Sequence, residues 1–186
     1  MNNKHTVVGI VCDVSKAFEG VNHKILLSKL EHYGIKGTFG ALIKSYLTER
    51  YQSVALKDKT NSVNYSNWEL VKHGVPQGLI LGPLLFLLYI NDLSSVTAEN
   101  AKLVPYADDT SFININPSPI EFADILHKVF TNVNDCFRNN LLFLNFNKTT
   151  YLQFLKKKLS NKLISNIKLL NNQITNSTNI KGKAIM

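Results

Sequence analysis

Cysteine is scarce in this sequence, which contains only Cys12 and Cys136. Cys12 lies in a predicted strand and Cys136 in a predicted helix, so the pair excludes the disulfide framework of a small secreted domain. Residues 1–6 are polar and lack the apolar core of a signal peptide. We therefore expect an intracellular protein of the nucleus or cytoplasm that is not secreted.

Long hydrophobic runs are also missing. The most apolar stretch, residues 79–90, is interrupted by Gly82 and Pro83. It is shorter than the roughly 20 apolar residues that a bilayer span requires. We predict a buried helix for this stretch and no membrane partner.

Acidic residues are absent from Cys136 to the C-terminus, a part of the chain that holds nine basic residues, among them Lys156, Lys157 and Lys158. Residues 1–135 carry 12 basic and 13 acidic residues, so the net charge of +8 is concentrated at one end. This asymmetry favours a polyanion partner, and nucleic acid in particular, because no amphipathic lipid-binding pattern accompanies it. The alternative is a solvated, lysine-rich tail.

The order of predicted elements indicates an α+β fold in one domain of 186 residues. Apolar alternation predicts strands, and apolar residues spaced by three and four predict helices. The predicted inward stripes include Phe39, Leu42, Ile43 and Tyr46 in the second helix and Ala123, Leu126, Phe130, Val133 and Phe137 in the last one. The predicted helices are 23–33 with Gly34 as C-cap, 38–47, 82–93 and 119–139; the predicted strands are 7–12, 52–56 paired with 67–71 across a loop at 57–64, two around Asp108 and Asp109, 141–144, 150–155 and 167–170.

Three carboxylates accompany predicted strands. Asp13 continues a strongly β-forming apolar run, where a charge has no structural reason to occur, and Asp108 and Asp109 occupy a predicted hairpin tip. Neighbouring acids repel, and a cation between them relieves that repulsion. Three oxygen donors on two strands therefore predict a hard-metal site. Asp-Asp before Thr also occurs in ordinary polar turns, which is the alternative for the hairpin pair.

A second unusual stretch runs from His73 to Gly78. Gly74 and Gly78 flank Pro76 and Gln77, and glycine permits a backbone to approach a ligand closely. An ordinary turn before a helix is the alternative.

Taken together, these stretches resemble the reverse transcriptases of non-LTR retrotransposons, the LINE or jockey-like elements. The resemblance covers residues 7–155 and leaves a basic, weakly specified end at 156–186, so that we predict a single partial reverse transcriptase domain over 1–186. The matching motifs are DVSKAF at 13–18 followed by VNH at 21–23, GVPQG at 74–78 with ILGPLLF at 80–86 and YINDL at 89–93, YADD at 106–109, and LNFNKT at 144–149.

The resemblance implies an RNA-directed DNA polymerase, a nucleotidyltransferase with a palm-like antiparallel sheet and packed helices. Asp13 and Asp108 would be the metal-binding acids that hold two Mg²⁺ ions, with Mn²⁺ as a substitute, and Asp109 would be the third, less strictly required carboxylate. Lys148 would donate a proton to the pyrophosphate leaving group. Phe18 would lie under the sugar and exclude a 2′-hydroxyl. Gly74, Pro76, Gln77 and Gly78 would contact the incoming deoxynucleoside triphosphate and the template. The implied partners are an RNA template and a DNA primer, and the sequence does not indicate an oligomeric state.

The sequence departs from the family pattern at Glu19, where Asp is usual, at Gly20, and at Leu79, where Ser is usual. We expect Leu79 to disturb nucleotide binding. Most of the fingers and the thumb have no recognisable counterpart, so we also expect the isolated chain to be incomplete as a polymerase. Two alternatives are a catalytically silent nucleic-acid-binding remnant and an RNA-dependent RNA polymerase. Phe18 argues against the second, because its ring would clash with a ribonucleotide.

Overall fold

A computed structural model describes residues 6–78, 80–96, 101–106, 109–116, 119–154, 167–169 and 172–176. Helices and mostly antiparallel strands make up these ranges, which confirms the α+β prediction. The chain divides into two compact units: residues 1–17 with 90–186, and residues 18–89. A single polymerase domain over the whole chain stays a prediction.

The first unit is built on one sheet with β1, Thr6–Ser15, at its centre. β1 is antiparallel to β7, Asp109–Asn116, on one side, and to β9, Thr150–Phe154, and β8, Phe143–Leu144, on the other. The order is β10-β11-β9-β1-β7-β6, with β6 at Ala101–Tyr106, β10 at Ile167–Leu169 and β11 at Asn172–Asn176.

One face of β1 is core. Val8, Ile10, Cys12 and Val14 alternate along the strand and are all buried. Helix α4, Pro119–Asn139, contacts β7 and β8. Its predicted apolar stripe is confirmed where side chains are described, because Leu126, Phe130, Val133 and Phe137 are all buried; the side chain of Ala123 lies outside the described residues.

The second unit contains α1, His23–His32, α2, Gly37–Leu47, and α3, Leu81–Tyr89. The Asn22 side chain caps α1 by accepting from the backbone N–H groups of residues 24 and 25, at 3.0 and 3.2 Å. Gly34, at φ +85°, follows the C-cap Tyr33 and turns the chain out of α1. No described helix combines the length and hydropathy that crossing a membrane requires.

The inward face predicted for α2 is partly wrong. Phe39 and Leu42 are 66% and 63% exposed, whereas Ile43 and Leu47 are buried. The reason is geometric. Helix α2 packs mainly on α1, and one neighbouring helix buries only a narrow row of side chains spaced four residues apart.

The helix predicted at 82–93 divides in two. α3 ends at Tyr89, and a 3₁₀ helix, Asn91–Ser95, follows. The hydroxyls of Ser94 and Ser95 donate to the carbonyls of Asn91 and Asp92, a local pattern that competes with continued α-helix. The strand predicted at 141–144 is likewise shortened to β8, because Leu141 adopts φ +53° after α4.

The strand pair predicted at 52–56 and 67–71 is partly wrong. β2, Tyr51–Gln52, pairs with β5, Glu69–Leu70, but β3, Ala55–Lys57, pairs with β4, Val63–Tyr65. The predicted loop therefore contributes a strand. A turn centred on Asp58 explains this, since its Oδ1 accepts from the backbone of Thr60 and Ser62 and closes a tight hairpin.

Candidate active site

Two of the three predicted metal-binding acids lie side by side. Asp13 of β1 and Asp109 of β7 are direct partners in the antiparallel ladder, so both side chains project from the same face of the sheet. Alternation along β1 places that face opposite the buried side chains of Cys12 and Val14. Asp109 is exposed and the Asp13 side chain is 24% exposed. Asp108 lies outside the described residues, as do Leu79 and Lys156 to Lys158.

Lys148 reaches Asp13 from the other side of β1. Its Nζ lies 3.8 Å from Asp13 Oδ2. The Asn145 N–H donates to the Asp13 carbonyl at 2.8 Å, and the Asn145 carbonyl accepts from the N–H groups of Lys148 and Thr149 and from the Thr149 hydroxyl. This turn between β8 and β9 fixes the backbone of Lys148 beside the acid pair.

The acids suit a hard divalent cation by their chemistry. Asp13 and Asp109 supply carboxylate oxygens on an accessible face, and oxygen is the donor that Mg²⁺ and Mn²⁺ prefer. Within the described ranges, no group of three or more His, Cys, Asp or Glu side chains is placed to hold a metal. The described residues thus bring two carboxylates together here, and the metal site stays a prediction.

In the second unit, two distant motifs are joined by their backbones. The Gly74 N–H donates to the Val21 carbonyl at 2.8 Å, and the Val75 N–H donates to the Phe18 carbonyl at 2.9 Å. Gly74 has φ +87°, and a Cβ there would lie 3.0 Å from the Cα of Glu19. Only glycine fits this crossing without strain.

His23 supports the same loop. Its side chain is 8% exposed, and its Nε2 lies 2.7 Å from the Gly74 carbonyl. A carbonyl only accepts, so Nε2 carries the proton and donates. His23 was not among the predicted site residues. The sequence signal that could have identified it is a histidine on the apolar side of a predicted helix, in the VNH motif that follows Phe18.

The Phe18 and Gln77 side chains each contact another side chain of the second unit. The Phe18 ring packs on Phe86 with centroids 4.9 Å apart and remains half-buried. Gln77 Nε2 donates to Glu19 Oε1 at 3.1 Å. A cleft of about 370 Å³ adjoins this pair, lined by Glu19, Arg50, Gln52, Val71 and residues 73–77.

The loop ends against the start of α3. Gly78 has φ +80°. An added Cβ on Gly82 would lie 2.1 Å from the Pro76 carbonyl oxygen. Gly74, Pro76, Gln77 and Gly78 thus lie in one loop of the second unit, whereas Asp13, Asp109 and Lys148 lie in the first.

Residues 1–178 match the family described as Reverse transcriptase (RNA-dependent DNA polymerase). The chain belongs to this family. The match takes in the acid pair, Lys148 and the Gly74–Gly78 loop, and it confirms the resemblance seen in the sequence motifs.

Curated relatives of this reverse transcriptase domain come from mobile elements. This chain is 31% identical over 124 residues to the RNA-directed DNA polymerase from mobile element jockey of Drosophila melanogaster. The match covers 63% of this chain and 13% of the relative. The chain is 30% identical over 165 residues to the probable RNA-directed DNA polymerase from transposon BS of the same species, covering 86% of this chain and 18% of the relative. The chain thus spans less than a fifth of either relative.

Solved structures show the same fold. The apo telomerase from Candida Tropicalis truncated from its C-terminal domain superposes with a TM-score of 0.57 at 16% identity, covering 81% of this chain and 31% of the telomerase. Telomerase from the same organism, in complex with a TWJ fragment of telomeric RNA, superposes with a TM-score of 0.54 at 14% identity, covering 82% of this chain and 26% of that one. The sheet with its packed helices is therefore a polymerase palm fold. Reverse transcriptases as a family generally use divalent metal ions.

Proposed function

We propose that this reverse transcriptase domain transfers a deoxynucleoside monophosphate from its triphosphate to the 3′-hydroxyl of a DNA primer, directed by an RNA template. The observation that carries the proposal is the direct register of Asp13 with Asp109, with Lys148 beside Asp13, in a chain of this family. In the reaction the primer 3′-oxygen bonds to the α-phosphorus, and the bond from that phosphorus to pyrophosphate breaks.

Asp13, Asp109 and, by the sequence resemblance, Asp108 would hold two Mg²⁺ ions, or Mn²⁺ in their place. Such ions lower the pKa of the attacking hydroxyl and neutralise charge on the leaving group. The chain's own contribution is rigidity. Asp13 lies inside a strand paired on both sides, and Asp109 is fixed opposite it by the ladder. Neither acid depends on a flexible loop for its position.

Lys148 is proposed to protonate the departing pyrophosphate. Its side chain is 69% exposed, and its ion pair with Asp13 is long, at 3.8 Å. An exposed pair of this kind contributes on the order of 0–1 kcal/mol, so substrate phosphate can displace it at little cost. The anchored backbone at Asn145 and Thr149 limits how far the ammonium group moves when it does so.

Phe18 and the Gly74–Gly78 loop are proposed to bind the incoming nucleotide. The packing of Phe18 on Phe86 makes its ring a rigid wall, which steric exclusion of a 2′-hydroxyl requires. The positive φ angles at Gly74 and Gly78 turn the loop backbone tightly enough for close approach to a ligand. The loop would contact the triphosphate and the template.

Metal binding tests the acid site directly. We expect Mn²⁺, followed by electron paramagnetic resonance, to bind the wild-type chain and to bind Asp13→Asn and Asp109→Asn at least tenfold more weakly. Asp135→Asn is the matched control, because Asp135 is an exposed acid on α4 in the same unit. Equal Mn²⁺ affinity in all four proteins would refute the proposed ligands.

Primer extension separates a polymerase from a silent nucleic-acid-binding remnant. Because the isolated chain is expected to be incomplete, we expect at most slight, Mg²⁺-dependent addition of a single dTMP to an oligo(dT) primer on poly(rA). This addition should be lost in Asp13→Asn and retained in Asp135→Asn. If the wild type binds Mn²⁺ and RNA but adds no nucleotide, the remnant is the correct alternative.

A further inference from the structure

The β2–β5 and β3–β4 pairs form one ribbon, residues 50–71, in the second unit. The Val71 N–H donates to the Arg50 carbonyl at 2.8 Å, and Ser66 N–H donates to the Val54 carbonyl at 2.9 Å, which continues the pairing between the strands. Nearly every residue of the ribbon is exposed. An isolated two-stranded ribbon is marginally stable, and large exposed aromatic or apolar patches often mark interaction sites. The exposed aromatic side chains of this ribbon therefore suggest a binding surface.

The register sorts these side chains onto two faces. Between the pairs Gln52–Glu69 and Ala55–Tyr65, the first strand has two residues and the second has three, so the second strand carries a bulge. Alternation along the first strand puts Tyr51, Ala55 and Lys57 on one face, and their partners share it. This tyrosine face therefore consists of Tyr51, Ala55, Lys57, Val63, Tyr65 and Leu70.

Aromatic rings dominate the accessible area of the tyrosine face. Tyr51 and Tyr65 are 61% and 72% exposed, while their apolar neighbours Val63 and Leu70 are 45% and 42% exposed. Tyr65 lies opposite Ala55, four positions beyond Tyr51, which corresponds to about 13 Å along the ribbon. Two rings at this separation can each stack on a base of one extended strand.

Charge on the ribbon favours a polyanion. Lys57 is the charged residue of the tyrosine face, whereas Glu69 pairs with Gln52 on the opposite face. Asp58 is occupied in its own turn, where it accepts from the Thr60 hydroxyl at 2.6 Å and from two backbone N–H groups, and these bonds lower its pKa. Glu69 therefore lies off the tyrosine face, and the Asp58 carboxylate is engaged by the hairpin turn.

We infer that the tyrosine face is a stacking platform for a single strand of nucleic acid. The inference rests on the proposed function, since a polymerase of this family has such a strand as its template. Exposed aromatic rings next to cationic side chains bind single strands with little sequence preference, because every base has a stacking face. Tyr51 and Tyr65 take the bases, and Lys57, which lies one residue pair beyond Tyr65 on the same face, contacts a phosphate at that end of the strand.

Trp68 gives the ribbon its own reporter, because it is the sole tryptophan of the chain and is 70% exposed. The experiment titrates the full chain with a labelled short oligoriboadenylate and follows both probe anisotropy and Trp68 emission. The variants are Tyr51→Ala with Tyr65→Ala, and the conservative Tyr51→Phe with Tyr65→Phe. Leu56→Ala is the matched control, since Leu56 is 68% exposed on the opposite face.

We expect the double alanine variant to lose roughly 5- to 150-fold in affinity for each base stack removed, while the phenylalanine variant and Leu56→Ala bind as the wild type does. Because both tyrosines are exposed, folding should be unaffected, as thermal unfolding will verify. Unchanged affinity in the alanine variant, or an equal loss in Leu56→Ala, would overturn the inference.

Other occupants of this face give distinct results. If Trp68 emission changes with protein concentration alone and the alanine variant abolishes that change, a second copy of the chain covers the face and the inference is wrong. Failure of the stacking inference can also be distinguished from failure of the proposed function. Mn²⁺ binding is expected to depend on Asp13 and Asp109 and should therefore be identical in all ribbon variants.

Discussion

Replacing Gly82 with alanine tests how the Gly74–Gly78 loop is held. Gly82 is the second residue of α3, and an added Cβ would lie 2.1 Å from the Pro76 carbonyl oxygen and 3.2 Å from its carbon. Helix propensity alone predicts that alanine stabilises this position by up to about 1 kcal/mol. The contact with Pro76 predicts the opposite sign.

The size of the effect follows from the overlap. The new carbon would be about 1 Å inside the closest approach that real Cβ atoms show, and the obstacle is backbone rather than a flexible side chain. Forced overpacking of this kind costs typically 1–3 kcal/mol. Because the obstacle is backbone, we expect a cost near the upper end of that range, so that Gly82→Ala lowers the free energy of unfolding by about 2 kcal/mol once the propensity gain of about 1 kcal/mol is subtracted.

Urea unfolding followed by Trp68 fluorescence measures this change in the unit that contains the loop. Gly78→Ala is the matched control, because Gly78 has φ +80° but nothing within 4 Å of an added Cβ. Its cost should be the left-handed backbone penalty alone, on the order of 1 kcal/mol. A Gly82→Ala protein as stable as the wild type, or more stable, would show that Pro76 does not press on α3.

Two further predictions concern single side chains. If Phe18 lies under the sugar as proposed, Phe18→Val should raise the ratio of ribonucleotide to deoxyribonucleotide incorporation, measured by single-nucleotide extension, because a smaller side chain would leave room for a 2′-hydroxyl; an unchanged ratio would leave Phe18 as a packing partner of Phe86. Burial raises the pKa of the Cys12 thiol from 9.0 to about 12. The unfolded chain therefore loses this proton first, so the free energy of unfolding should fall as pH rises from about 9 towards 12, and Cys12→Ala should remove that part of the slope in urea titrations.

The acid pair could be predicted from the sequence, because a charge in an apolar strand is costly without a partner. The run before Asp13 predicted β1, and the hairpin motif predicted a neighbouring strand, but the exact register of Asp13 with Asp109 depends on long-range pairing that local propensity does not encode. Lys148 could be predicted as a site residue only from the resemblance to the family, because its position beside Asp13 depends on a turn held by backbone hydrogen bonds at Asn145.

The errors in α2 and in the ribbon have different physical causes. Periodicity shows which side chains could be buried together, whereas burial requires a neighbouring element to cover them. Phe39 and Leu42 fit a helical stripe but extend beyond the part of α2 that α1 covers. In the ribbon, a single extra residue in the second strand shifted the pairing, and alternation alone cannot locate such a bulge.

Glu19 shows how a departure from the family pattern can be accommodated. The usual residue at this position is Asp, whose carboxylate sits on an arm one methylene shorter. In this chain the Glu19 carboxylate accepts from Gln77 Nε2 at 3.1 Å, while the backbone beside it is fixed by the bond from Val75 N–H to the Phe18 carbonyl. Since that backbone bond does not depend on the side chain, the longer arm changes only where the carboxylate lies. The Glu19 side chain therefore couples the motif that carries Phe18 to Gln77 of the Gly74–Gly78 loop, by a hydrogen bond that contributes about 0.5–1.5 kcal/mol.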